Sequence, residues 1–201
     1  MENDTITFQS TPKNSGEFNY RTHTWNISNQ LDIDTYLQQS AYVFKYGGYI
    51  GSGGDEKYKS FEKVVGYKIK VTDEYKDDTQ LLYLLVINGR IVKGGKVKGT
   101  LPSRSYSAGT EHNWTNTGQA SPTNYIYSQI FRECLRVNIP IKFYVCRCPL
   151  TRVSYPTPSG ETKYIETSPY EAMEHELNLH LKKTLGKQLI GEGDLLNLNK
   201  K

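Results

Sequence analysis

Cysteine, methionine and tryptophan are scarce in this chain, at three, two and two among 201 residues. Three cysteines cannot all pair within one chain, which argues against a disulfide framework. Cys146 and Cys148 stand two apart in an apolar run and lack the turn-like spacing and ligand count of a structural metal site. Free, buried thiols in a reducing compartment are the expectation for these two and for Cys134. Long apolar runs are missing as well. No stretch nears the 18 or so residues that cross a bilayer, and no charged segment followed by an apolar one opens the chain. A soluble, cytoplasmic protein is expected. Repeats and low-complexity tracts are absent, which leaves one well-packed domain or a compact core with an extension.

The sixteen tyrosines and a formal net charge of +4 are what the chain does have. Tyrosine supplies stacking surface and hydrogen bonds and, beside a cation, a base. A mild positive charge is compatible with nucleic acid but does not establish it.

The amino-terminal forty residues are polar, with one helix predicted near "DIDTYLQQSAYVF". "FEKVVGYKIKVT", 61–72, alternates as a strand does. "LLYLLVINGRIVKGG", 81–95, places two β-favouring runs around Asn88-Gly89 and predicts a hairpin. "GTLPSRSY" predicts a short helix carrying Arg104. Ser121-Pro122 opens a longer helix with Ile126, Ile130 and Cys134 on one stripe. "IPIKFYVCRCP", 139–149, reads as a buried strand, and the twenty or so residues after it as a long loop. Ser168-Pro169-Tyr170-Glu171 is a capping-box pattern that predicts a helix to about Leu185, with Gly186 as its stop.

From residue 80 the order is strand, strand, helix, helix, strand, helix. With "LLY", "KGGK", "LPSRSY" and "MEHEL" placed on it, this order resembles the GIY-YIG nuclease domain, over about residues 79 to 185. Leu81-Leu82-Tyr83 stands at the first tripeptide of that family. Lys93-Gly94-Gly95 stands at the second, with lysine where the family has tyrosine; a branch of type II restriction endonucleases shares that replacement. The resemblance implies an α+β fold whose core is a small three-stranded antiparallel sheet flanked by helices. It divides the chain into an N-terminal extension, 1–78, for DNA recognition or dimer contacts, and a catalytic core with its C-terminal tail, 79–201.

It also implies hydrolysis of DNA phosphodiester bonds at a specific sequence. In-line attack by water needs a base, cations for the developing charge, and help for the leaving oxygen. Tyr83 is the implied base, assisted by Lys93. Arg104 offers a planar fork of donors to the phosphate. Glu174 would bind one Mg²⁺, an ion that keeps most of its waters and so needs a single protein carboxylate. Lys96, Tyr106 and His112 are candidates for supporting or substrate contacts. Double-stranded DNA, a second copy of the chain and a cognate DNA methyltransferase are the implied partners. A homing or repair nuclease of the same fold, and a DNA-binding protein that no longer cuts, remain open alternatives.

Register tests this reading. A simple two-residue Asn-Gly turn would set Tyr83 opposite Gly94 and send Lys93 to the other face of the sheet. A three-residue loop, or a bulge with the same effect, would set Tyr83 directly opposite Lys93. Tyr49-Ile50-Gly51 is the literal match to the family's second tripeptide, but no arginine lies between Arg21 and Arg90. Lacking a cation to hold phosphate, it is read as part of a glycine-rich loop.

Overall fold

The computed structural model describes residues 4–11, 21–53, 67–103 and 121–185. The fold is α+β, built on antiparallel sheets and, among the described residues, three α-helices. β1 (Thr5–Ser10) and β2 (Arg21–Asn26) form a hairpin. α1 (Ile33–Gln39) follows, then β3 (Lys45–Ser52), β4 (Tyr67–Val71), β5 (Leu81–Ile87) and β6 (Arg90–Val97). A 3-10 turn at Leu101–Ser103 precedes α2 (Pro122–Arg136), β7 (Ile141–Arg147), the hairpin β8 (Thr151–Pro156) and β9 (Thr162–Thr167), and α3 (Tyr170–Leu185).

The expected three strands, β5, β6 and β7, are neighbours, but the sheet they belong to has five, in the order β4-β3-β7-β5-β6. The three-stranded expectation is therefore corrected. β3 comes from the polar amino-terminal part and pairs with the outer side of β7, so the stretch before residue 78 helps build the sheet. Tyr49-Ile50-Gly51 lies inside β3, paired throughout with β4 and at Tyr49 also with β7, and is a strand rather than a glycine-rich loop.

β5 is apolar at all seven positions because both its faces are covered. Its odd residues, with Phe143 and Val145 of β7, pack against the Ile126, Ile130 and Cys134 stripe of α2. The β1–β2 hairpin joins the same core through Ile6, Phe8 and Trp25, and Tyr125 of α2 ties to Thr11, whose backbone N–H donates to the phenol at 2.8 Å. Even residues Leu82, Leu84 and Val86 face α1 and α3, meeting Tyr36, Leu177 and Leu181. Each such buried side chain contributes about 1.5–3 kcal/mol.

Caps fix the helix starts. Asp32 accepts from Thr35 N–H at 3.0 Å and Ser121 from Asn124 N–H at 3.2 Å. The capping box expected for α3 is not formed. Ser168 Oγ bonds to no helix N–H, and Pro169 supplies the first carbonyl, which Met173 N–H reaches at 2.9 Å. Gly186 lies outside the described residues. The expected loop after β7 is the β8–β9 hairpin, and every one of its strand residues is exposed. Its strands lack the apolar alternation of a half-buried sheet, which explains the misreading. All three cysteines are free; Cys134 and Cys146 are buried, and Cys148 is half-buried. Burial pushes the Cys134 thiol up to about 12. No helix among the described residues is long and apolar enough to cross a membrane.

Candidate active site

The site residues within the described chain gather along β6, the outermost strand on its side of the sheet. Residues 31 to 33 cover its beginning: Asp32 bridges Arg90, and Ile91 N–H donates to the Leu31 carbonyl at 2.8 Å. Beyond Ile91, no strand pairs with the outer side of β6 among the described residues.

The β5–β6 hairpin turns through two residues with positive φ, Asn88 at 49° and Gly89 at 76°, and Ile87 pairs with Arg90. An extra residue, Val92, then enters between the Val86–Ile91 and Leu85–Lys93 pairs. That bulge moves every later residue of β6 by one position. Tyr83 therefore lies opposite Gly95, and Lys93 opposite Leu85. Tyr83 and Lys93 share a face, as the family reading needs, but as diagonal neighbours. The direct pairing is corrected: the tight turn keeps its two residues, and the bulge supplies the shift.

Tyr83 has no exposed surface. Its ring packs against Phe143 at 5.8 Å between centroids and reaches across to β6. A Cβ on Gly95 would stand 2.5 Å from the Tyr83 hydroxyl, so only glycine leaves room for the phenol there. Lys93 is half-buried, and its Nζ sits 5.1 Å from the centroid of the Tyr127 ring. That ring is itself fixed, since its hydroxyl donates to the Val92 carbonyl at 3.0 Å. The ammonium thus gains a cation–π contact on the tyrosine side of the sheet.

The opposite face of β6 is charged. Gly94 lets α3 approach: a Cβ there would meet Leu181 Cδ1 at 2.7 Å and Asn178 Oδ1 at 3.0 Å. One residue pair further on, Lys96 Nζ lies 3.2 Å from Glu171 Oε1 and 3.3 Å from Glu174 Oε2, with the Tyr170 ring at 5.7 Å. The Glu171 hydrogen bond, with Glu174 behind it, raises the Lys96 pKa above the ordinary lysine value. Glu171, read from sequence as a capping residue, is instead an ion-pair partner.

Tyr83 and Lys93 are thus brought to one side of the β6 edge, and Lys96 and Glu174 to the other. Arg104, Tyr106 and His112 lie outside the described residues. Arg136, in the last turn of α2, is held by Glu133 in a two-bond pair at 2.7 and 2.9 Å. Tyr127, Asn178 and Glu171 were missed as site residues. Glu171 could have been found, because it precedes Glu174 by three residues and shares its helix face. Tyr127 carried no such signal, since its place in an apolar stripe reads as core.

Glu174 is 24% exposed and offers a hard oxygen donor at the open edge, which suits a strongly hydrated divalent ion. Among the described residues no three or more His, Cys, Asp or Glu side chains cluster into a larger metal cage. Glu174 is the residue that would hold such an ion, whose remaining ligands would be water.

The chain is similar in structure to the restriction endonuclease HPY188I in complex with product DNA. That match has 23% identity and a TM-score of 0.48, over 84% of this chain and 89% of that one. It is also similar to a point mutant of bacteriophage T4 EndoII, with 17% identity and a TM-score of 0.47, over 76% of this chain and 95% of that one. No protein-family model and no curated protein matches the chain.

Proposed function

We propose that this protein is a site-specific DNA endonuclease of the GIY-YIG kind, similar to type II restriction enzymes. What supports the reading is a phenol seated over Gly95 on one face of the β6 edge and a carboxylate beside Lys96 on the other. In this reading Tyr83 takes a proton from the attacking water. Lys93, on the same face, favours the charge that develops on the phenol. Arg104 holds a phosphate oxygen with its fork of donors. Glu174 would hold one Mg²⁺, which when bound supplies charge stabilisation for the phosphate and the leaving oxygen. Tyr83 is fully buried in the chain alone, so catalysis requires the surface around Gly95 to open as DNA binds.

Duplex cleavage needs two cuts, and a chain with one site makes them most simply as a symmetric dimer on a palindromic sequence. The assignment of residues 1–78 to recognition or dimer contacts, and a cognate methyltransferase acting on the same sequence, belong to the same proposal.

Incubating plasmid DNA with the protein and Mg²⁺ tests it. Discrete fragments are expected, and Glu174→Gln and Arg104→Ala should each lower the cleavage rate about 10²- to 10³-fold while DNA binding persists. Tight binding without cleavage of any varied substrate would contradict the endonuclease. Normal cutting by either variant would remove that residue from the mechanism.

A further inference from the structure

The Lys96 ammonium sits almost midway between two carboxylates, 3.2 Å from Glu171 and 3.3 Å from Glu174. The carboxylates are not equivalent. Glu174 is 24% exposed and tucked against the sheet, whereas Glu171, one turn earlier on α3, is 69% exposed. A cation between two nearly equal wells gives up one of them at small cost as long as the other remains. A lysine that also answers the first charge of a would-be metal ligand competes with the metal. We infer that Lys96 is the built-in counter-cation of Glu174, and that Glu171 is a positioning residue that takes the ammonium when a divalent cation occupies the Glu174 carboxylate. The inference rests on the reading of Glu174 as a metal ligand and adds the device that keeps it ordered and exchangeable.

Both residues follow from placement. The Val92 bulge sets Lys96 opposite Leu82, on the α3 face. The i, i+3 spacing then sets Glu171 and Glu174 on one side of that helix. Ser168 Oγ makes no bond to the helix, so the reciprocal capping box is not formed, and the Glu171 carboxylate is bonded to Lys96.

Binding of Mn²⁺ alone to the full-length protein without DNA, read from the electron paramagnetic signal of the free ion, tests the exchange apart from activity. The pairs are partly exposed, so the effects are modest. Glu171→Gln should weaken Mn²⁺ binding about three- to fivefold, Glu171→Asp should restore most of it, and Lys96→Met should tighten it by a similar factor. In the Lys96→Met background, Glu171→Gln should change nothing further, because Glu171 acts through the ammonium. If Glu171→Gln weakens binding equally in both backgrounds, Glu171 attracts or ligates the metal itself and the exchange is overturned. Unchanged or tighter binding in Glu171→Gln alone also overturns it. Failure of the underlying reading looks different: Glu174→Gln would then bind Mn²⁺ as tightly as the unmodified chain.

Discussion

Two strands of the same sheet carry a glycine pair beside a bulge, and they have opposite fates. In β3, Gly47-Gly48 lies between β4 and β7, where a Cβ would strike Val145 on one residue and the Lys70 carbonyl oxygen on the other. In β6, Gly94-Gly95 lies at the sheet edge, where a Cβ would strike Leu181 of α3 or the hydroxyl of Tyr83. Gly48 lets backbone pack on backbone, and Gly47 makes room for the Val145 side chain inside the sheet. The β6 glycines make a notch into which side chains from both faces reach. The literal Tyr-Ile-Gly text belongs to β3, whereas Lys93 and Lys96 belong to β6, which the Tyr83 phenol reaches from β5 and the Glu174 carboxylate from α3. Position in the sheet, more than the letters, separates a structural strand from a candidate catalytic one.

The sharpest way to break this contrast is to remove one hydroxyl at each place: from Tyr83 of β5, which covers the β6 notch, and from Tyr49 of β3. Tyr83→Phe should lower single-turnover cleavage by about 10²- to 10⁴-fold with the fold intact, while Tyr49→Phe should cut normally. Equal losses would show that the β6 assignment is no better than the β3 one. Next in size are the glycines. Gly95→Ala pushes on the Tyr83 hydroxyl; it should cost about 1–3 kcal/mol in denaturant unfolding and also reduce cutting by the molecules that remain folded. Gly48→Ala, at φ 154° and facing the Lys70 carbonyl, should cost a similar amount of stability but leave cutting per folded molecule unchanged.

The smallest effect lies away from both strands, in the β1–β2 hairpin. His23, 2.7 Å from Ser10 Oγ, has its pKa lowered by burial and then by Arg21. The unfolded chain therefore takes up that proton more readily. Stability from the neutral ring is fully present above the ordinary histidine value of 6.5 and is lost as pH falls from there through the lower value of the folded state. His23→Gln should flatten the stability profile between pH 7.5 and 5.5, roughly the range where a histidine titrates, without altering cleavage at matched folded fraction. A profile unchanged by the substitution would contradict this.

Much of the β6 edge was legible in the text. Asn88-Gly89 announced the hairpin, the stripe of α2 and its Ser121 cap were readable by period, and β7 stood out as an apolar run. The bulge at Val92 was not legible, because nothing in "GRIVKGG" marks which residue goes unpaired; the register depends on packing against both faces. Of the two extra strands, β4 lies within 61–72, the stretch whose alternation predicts a strand, whereas β3 was hidden by composition: it carries three glycines and two exposed tyrosines, and weak alternation of that kind reads as loop. The Lys96–Glu171 pair, spanning 75 residues of chain, follows only from the register and the approach of α3 over Gly94.

The most direct test is diffraction from crystals of the protein with a duplex containing its target sequence and Ca²⁺ in place of Mg²⁺. The account predicts a phosphodiester at the β6 edge, beside Tyr83 and Gly95, with the cation on Glu174. Duplex seated against β4, at the far edge of the sheet, with the β6 notch still closed, would contradict it.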